Sequence, residues 1–520
     1  MSTNKNIEKI CLIIMAVVIV ITIVFMNGKK LGMTAVVDED SEANSDEYVF
    51  TENDMDGNWD ISMATVISLN GTDISISGKG AYAYDGSVFI SSAGWYAVSG
   101  ELTDGQIVVD ADSSSKVWIM LDGINVYKED DAALRINQAD KVFLTLAEGS
   151  ENHLESGAQY SDEAIDQGSG GTIFSRDDLT INGSGALSIK AAYKHGIDAN
   201  DDLVISGGII SVDSASDGLH VNDAFKFRDA GLTIKAGDDG IHSDIDIIVS
   251  EGSINISDCY EGLEAKNIDI SGGSIEIHPQ DDGINANGGS NTFMGGGMKG
   301  MPGMQGTGDN KASAAAADTK SEESAEEEKS YIRISGGSVL IVNENGRDSD
   351  GLDSNGDVLI SGGTVRVSLS GGGSNNAVDY GSESGGSFLI NGGDIIALGG
   401  SMMAESPDEA STQCSIFYNL SETKEAGTAV VLKNEAGEVI LDYEPPCSFS
   451  NLTLSCPGLK LNETVSLSIG GEEEEIVLEG TVTSLGETAG FGGGMGGGRG
   501  FGRPGDIQGN DADASGDKQQ

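Results

Sequence analysis

One spacing constrains this chain more than any other. Glycines recur at Gly196, Gly218, Gly240 and Gly262, three steps of 22 residues, and then at Gly283 after a step of 21. Each sits in a short motif: HGIDA (His195–Ala199), DGLHV (Asp217–Val221), DGIHS (Asp239–Ser243), EGLEA (Glu261–Ala265) and DGINA (Asp282–Ala286). DGLDS (Asp350–Ser354) and the degenerate NAVDY (Asn376–Tyr380) follow. Between them runs a second motif, seen in SGGIISV (Ser206–Val212), SGGSIEI (Ser271–Ile277), SGGSVLI (Ser335–Ile341) and SGGTVRV (Ser361–Val367). A fixed period of this size points to a solenoid, in which each unit buries its apolar face only against its neighbours.

The chemistry of the unit selects the kind of solenoid. Short alternating runs such as Leu-Val-Ile-Ser and Ile-Ile-Ser-Val are rich in β-branched residues. No unit carries ten residues at helical spacing, which excludes leucine-rich and tetratricopeptide repeats. Gly-Gly and Asp-Gly punctuate the runs and read as positive-φ turns. Three strands of four to five residues and three turns fill one unit. The expected fold class is therefore all-β: a right-handed parallel β-helix of about 22 residues per coil. The calcium-binding nonapeptide roll fits less well, since a period of nine is absent.

Composition agrees with stacked coils: 75 Gly against only 7 Pro, with 5% aromatic residues. A formal net charge of −55 argues against nucleic acid or an anionic membrane surface as a direct partner. It favours multivalent cations or a neutral polymer.

At the N-terminus (1–30), Lys5 and Lys9 precede an apolar run from Ile10 to Met26. That pattern reads as an uncleaved signal anchor, or alternatively a cleaved signal peptide, and either exports the chain. An acidic linker (31–59) leads into the solenoid (60–411). A Gly/Met-rich and then Ala/Glu-rich insert at 288–330 is expected to be disordered. Residues 412–485 lose the period but stay strand-like, which suggests a small C-terminal β module, and 486–520 is a Gly-rich tail. Cys447 and Cys456 could pair across a short loop; no Cys-x-x-Cys is present.

Two rows of polar residues follow from the period. Equivalent positions on successive coils stack about 4.8 Å apart. The acids before the glycines (Asp217, Asp239, Glu261, Asp282 and Asp350) then face like charges that repel by about 3 kcal/mol at an effective dielectric near 20. A hard divalent cation with oxygen ligands would relieve this. The alternative is that Asp before Gly is a turn former bonding its own backbone, with the splayed side chains solvated. The second row, Asp198, His220, His242, Glu264, Asn285, Asp353 and Asp379, should lie on the outer face by alternation. It reads either as solvated surface or as a floor for sugar hydroxyls formed by His220, His242, Glu264, Asn285 and Asp353, with Asp198 joining the calcium ligands. A transition-metal pair of His220 and His242 lacks an evident third soft ligand.

Together, HGIDANDDLVISGG, DGLHVND, DGIHS and DSDGLDSNGDVLISGGTV resemble a bacterial carbohydrate-binding family of pectate-lyase-like parallel β-helices, of clostridial type. DGQIVVDA and LAEGSENHL are also similar to that family's N-terminal portion, so the resemblance covers roughly residues 60–485. It implies an exported β-helix that binds cellulose or acidic sugars and carries calcium. A polysaccharide lyase or hydrolase is the second reading, with Lys194, Lys226, Arg228, Lys266 and Arg347 as available bases. A purely structural surface protein is the third.

Overall fold

The computed structural model describes residues 50–57, 61–287, 329–346, 349–372 and 374–486. The signal-anchor segment, most of the acidic linker, nearly all of the 288–330 insert and the tail from 487 lie outside the described residues.

The chain is all-β with long parallel sheets. In the regular region each coil makes three strands, for example Leu219–Val221, Ala224–Phe227 and Gly231–Lys235. The next coil repeats them as Ile241–Ser243, Asp246–Val249 and Ser253–Cys259. Each strand pairs in parallel with its counterpart, placing Leu219 against Ile241, Phe225 against Ile247 and Leu232 against Ile254. The first two strand stacks after each glycine motif merge into a 23-stranded sheet, and the strands bearing the glycine motifs form a separate 12-stranded sheet. Alternation sends Leu219, Val221, Phe225, Phe227, Leu232 and Ile234 inward, where all are buried. Each such side chain contributes about 1.5–3 kcal/mol of transfer free energy.

The recurrent glycines are needed for a reason other than the one the motif suggests. Gly218, Gly240, Gly262 and Gly283 are absent from the positive-φ positions. They are places of close approach between coils. A Cβ on Gly240 would lie 2.6 Å from the Gly262 carbonyl oxygen and 2.6 Å from Ile256 Cδ1. One on Gly262 would lie 2.2 Å from the Gly283 oxygen. The degenerate motif fits the same rule: Ala377 stands where its coil is the last of this sheet. The Gly-Gly motifs do behave as expected, with Gly208 at φ +88° and Gly273 at φ +81°.

Antiparallel pairing covers both sheets at the start of the stack and the 23-stranded sheet at its end, which removes edges that would otherwise be exposed there. At the start, Thr65–Gly71 folds back on Asp73–Ser77, and Ala81–Tyr84 on Ser87–Ile90. At the other end, Phe449–Ser455 runs antiparallel to both Phe388–Gly399 and Ser415–Lys424. A four-stranded antiparallel sheet from residues 430–477 packs there around its own core, which includes Leu432, Leu454 and Leu467. The possible Cys447–Cys456 bridge is not formed. Both thiols are buried and free, and Cys447 Sγ instead donates to the Ser368 carbonyl at 3.2 Å.

The end of the supposed linker is structured. Glu52–Met55 is a helical turn capped by Thr51. Its Asp54 is buried, accepts a hydrogen bond from Thr180 Oγ1 at 2.6 Å and pairs with Lys141 Nζ at 3.0 Å.

Candidate functional site: the polar ladder of the 12-stranded sheet

The register of the 12-stranded sheet stacks the second polar row in an unbroken line. Asp198 pairs with His220, His220 with His242, and His242 with Glu264. Glu264 pairs with Asn285, Asn285 with Asp353, and Asp353 with Asp379. In register the same line continues toward the N-terminus through Phe174, Arg135 and Val108, all three buried, to Phe89, which lies opposite Tyr82. Its start is aromatic: Tyr82 stacks on Phe89 with centroids 5.2 Å apart, and Tyr82 and Tyr84 are 52% and 69% exposed. Its far end is acidic.

This face is less open than simple alternation suggests. Asp198 and Asn285 are buried, and the remaining members from His220 onward are half-buried. The acids before the glycines lie over the row. His220 Nδ1 meets Asp217 Oδ2 at 2.8 Å, three residues away in sequence. Each of several acids also ties its coil to the next. Oδ1 of Asp217 accepts the N–H of Asp239, and Oδ1 of Asp239 that of Glu261, both at 3.3 Å. Oδ1 of Asp282 accepts the N–H of Asp350 at 2.6 Å, and Oδ1 of Asp350 that of Asn376 at 2.8 Å. The turn reading of these aspartates is therefore right in kind but not in partner: the backbone they cap belongs to the following coil.

Electrostatics divide the ladder in two. At the imidazole end, burial works against the Asp217 charge, but His195 and His220 outweigh it and hold its carboxyl well below the ordinary range. Burial alone would lower the His242 pKa, yet its ion pairs with Glu264 (2.5 Å) and Asp244 (3.1 Å) push it up to about 9. Asp239 is pushed up by burial and by the Asp217 and Glu264 charges. At the acidic end no imidazole intervenes. Burial lifts Asp282 to about 9; the Asp350 N–H offsets part of this, and the Asp353 and Asp350 charges add repulsion. Burial and Asp379 lift Asp353 to about 7. Burial and Glu264 lift Glu261 to about 7 despite the Asn285 amide, which donates to Glu261 at 2.9 Å.

Among the described residues four groups bring ligand atoms within 4.8 Å of one another: His195, Asp217 and His220; Asp217, Asp238 and Asp239; Asp239, His242 and Glu264; Asp350, Asp353 and Asp379. Of the residues expected to bind metal, Asp217, Asp239 and Asp350 fall in these groups. Glu261 and Asp282 lie on the same ladder between them. Asp198 stands apart: it is buried at the start of the row, and a Cβ on Gly170 would lie 2.3 Å from its Oδ2. His195 was not singled out from the sequence. Its signal was there, since His195 is 22 residues before Asp217 and so occupies the acid position of its own coil. Asp238 and the exposed aromatic start of the row were missed as well. Of the available bases, Lys226 pairs with Asp202 at 2.9 Å and Arg228 with Asp229 at 3.0 Å, while Arg347 lies outside the described residues.

The chain is similar to proteins already known. A solved structure, the polysaccharide lyase-like protein from C. thermocellum as a gadolinium derivative, aligns with 62% of this chain and 96% of its own, at 24% identity and a TM-score of 0.36. A carbohydrate-binding domain-containing protein of Acetivibrio thermocellus is 38% identical over 126 residues, 24% of this chain. The chain spans 44% of that relative's length. Residues 84–260, which include the imidazole half of the ladder, match the family model for carbohydrate-binding domain-containing proteins, the family that the repeat motifs resemble.

Proposed function

We propose that this chain is an exported carbohydrate-binding protein that holds polysaccharide, cellulose or an acidic glycan, along the ladder of its 12-stranded sheet with the help of calcium. We infer that the coil is a right-handed parallel β-helix, the hand that parallel crossover connections overwhelmingly adopt. The observation that carries the functional reading is the in-register polar row from His220 to Asp379, acidic at its far end; the exposed Tyr82 begins the same line beyond the buried Val108, Arg135 and Phe174. Aromatic rings present apolar faces to sugar rings, and fixed polar groups select hydroxyls.

The acidic end explains the need for a cation. Glu261, Asp282, Asp350, Asp353 and Asp379 offer only oxygen donors, as calcium prefers. Asn285 sits in their midst in the register, and its buried Oδ1 has no hydrogen-bond partner. A bound divalent ion would satisfy that oxygen, neutralise the raised carboxyls and bridge to a uronate carboxylate. Without it, a chain of net charge −55 would repel an acidic glycan. The apolar run Ile10–Met26 would hold the protein at the outer membrane face or direct its secretion; among the described residues no helix is long and apolar enough to cross a membrane.

The test is a glycan array with cellulose and acidic polysaccharides, run with calcium and with chelator. Binding to acidic glycans should require calcium and weaken in Asp353→Asn. Equal binding under both conditions, or none to any polysaccharide, overturns the proposal.

A further inference from the structure

The imidazole end of the ladder is built for a different ion. We propose that His195, Asp217 and His220 form a binding site for a zinc-class transition metal, separate from the calcium ligands at the acidic end. This inference stands independently of the sugar-binding reading.

The geometry converges on one point. His195 Nδ1 and His220 Nδ1 lie 3.1 and 2.8 Å from the same atom, Asp217 Oδ2. The three ligand atoms fall within 4.8 Å of one another. Nitrogen and oxygen ligands at about 2.0–2.1 Å from a tetrahedral zinc are about 3.4 Å apart, so both contacts to Asp217 Oδ2, at 3.1 and 2.8 Å, would lengthen as a metal entered between the three side chains. Two imidazoles and a carboxylate suit zinc and its first-row neighbours; calcium takes oxygen.

A second observation singles out this group. His195 Nδ1 is buried and makes no hydrogen bond, although Asp217 Oδ2 is 3.1 Å away. The contact has the distance of an ion pair without the direction of a good hydrogen bond, so this buried nitrogen has the Asp217 charge as its one polar neighbour. His242 differs in this respect, since Glu264 and Asp244 engage both of its nitrogens. It acts as a fixed counter-ion rather than a ligand.

The surrounding structure holds the three side chains in place. His195 stacks on His220 at 4.5 Å, and His220 on His242 at 4.8 Å. Asp217 keeps its other oxygen on the Asp239 N–H, which leaves Oδ2 for the metal. The His220 side chain is 30% exposed against 14% for His195 and 7% for Asp217, so the open side of the ion would face solvent. Three protein ligands and one open position would leave room for a water or an oxygen of a glycan.

The experiment titrates the full chain, first stripped of metal, with zinc by calorimetry and with cobalt(II) by its visible ligand-field absorption. One zinc per chain should bind at this site, and cobalt should give the intense bands of a four-coordinate ion. His195→Gln and His220→Gln should each weaken zinc by at least the 10–100-fold that loss of a mere supporting group costs. Neither should change the melting response to calcium, whereas Asp353→Asn should do the reverse. Should His195→Gln fail to fold, His220→Gln at the more exposed position carries the same prediction. Unchanged zinc affinity in the folded variants, octahedral cobalt spectra, or displacement of zinc by equimolar calcium would each overturn the proposal.

Discussion

A single methyl group tests the architecture at the residue scale. Gly240→Ala places a carbon 2.6 Å from both the Gly262 oxygen and Ile256 Cδ1, so adjacent coils must part. The expected loss is about 1–3 kcal/mol in chemical denaturation, the range for overpacking. Ala377→Gly, at the same position of the last coil, should cost well under that. Equal effects at the two positions would show that coil spacing does not set the requirement. The sequence shows that glycine is needed but not why: an Asp-Gly pair looks like a positive-φ turn, and only the backbone of the next coil reveals the steric demand. His195 is a similar case. Its register with Asp217 is legible from the period, yet a motif written around Asp-Gly hides a histidine in the acid's place.

At the scale of single elements, the insert and the N-terminal helical turn behave differently. Lys266 alone separates Ala265 from Asn267, and in the next coil Ala286 is separated from Tyr331 by everything from 287 to 330. Tyr331 nevertheless pairs with Asn267, so the ladder closes across the insert. Removing residues 288–328 and joining Asn287 to Lys329 should leave the melting temperature of the solenoid within a few degrees, read by circular dichroism. Loss of soluble protein would mean that the insert supports the coils. The turn at Glu52–Met55 was hidden by its acidic composition, which resembles a linker. Burial opposes the Asp54 charge, but Thr180, Thr51 and Lys141 outweigh it and hold its pKa below the ordinary value. The stabilisation is thus complete at neutral pH and fades as pH falls through the depressed value. Asp54→Asn should cost about 2–3 kcal/mol at pH 7, since Lys141 loses its nearest charge, and the difference should shrink in acid. A pH-independent difference would assign the effect to packing.

The whole molecule carries its two kinds of row for different reasons, and pH separates them. The apolar rows were legible because burial and strand alternation leave a direct imprint on sequence. The polar rows were legible as stacks, but their burial was not, because it depends on the acids of one row folding over the other. That burial has a thermodynamic consequence. Asp282 is lifted to about 9, and Asp353 and Glu261 to about 7, by desolvation and neighbouring carboxylates. In the unfolded chain such groups ionise near 4. Between about pH 4 and 9 the native state therefore holds more protons than the unfolded state, and stability falls as pH rises. Calcium can take the place of those protons, binding the native ladder and raising its stability by mass action. With chelator, the melting temperature should drop steadily from pH 5 to pH 9. With millimolar calcium it should stay nearly level, so that the calcium-induced shift is small at pH 5 and largest at pH 9. Asp282→Asn should flatten the chelator curve, because the amide cannot ionise, and should also reduce the calcium shift. Should the two curves run parallel, the acidic rows are not calcium ligands. Their contribution to the molecule is then the coil-to-coil hydrogen bond that Asp217, Asp239, Asp282 and Asp350 make through Oδ1.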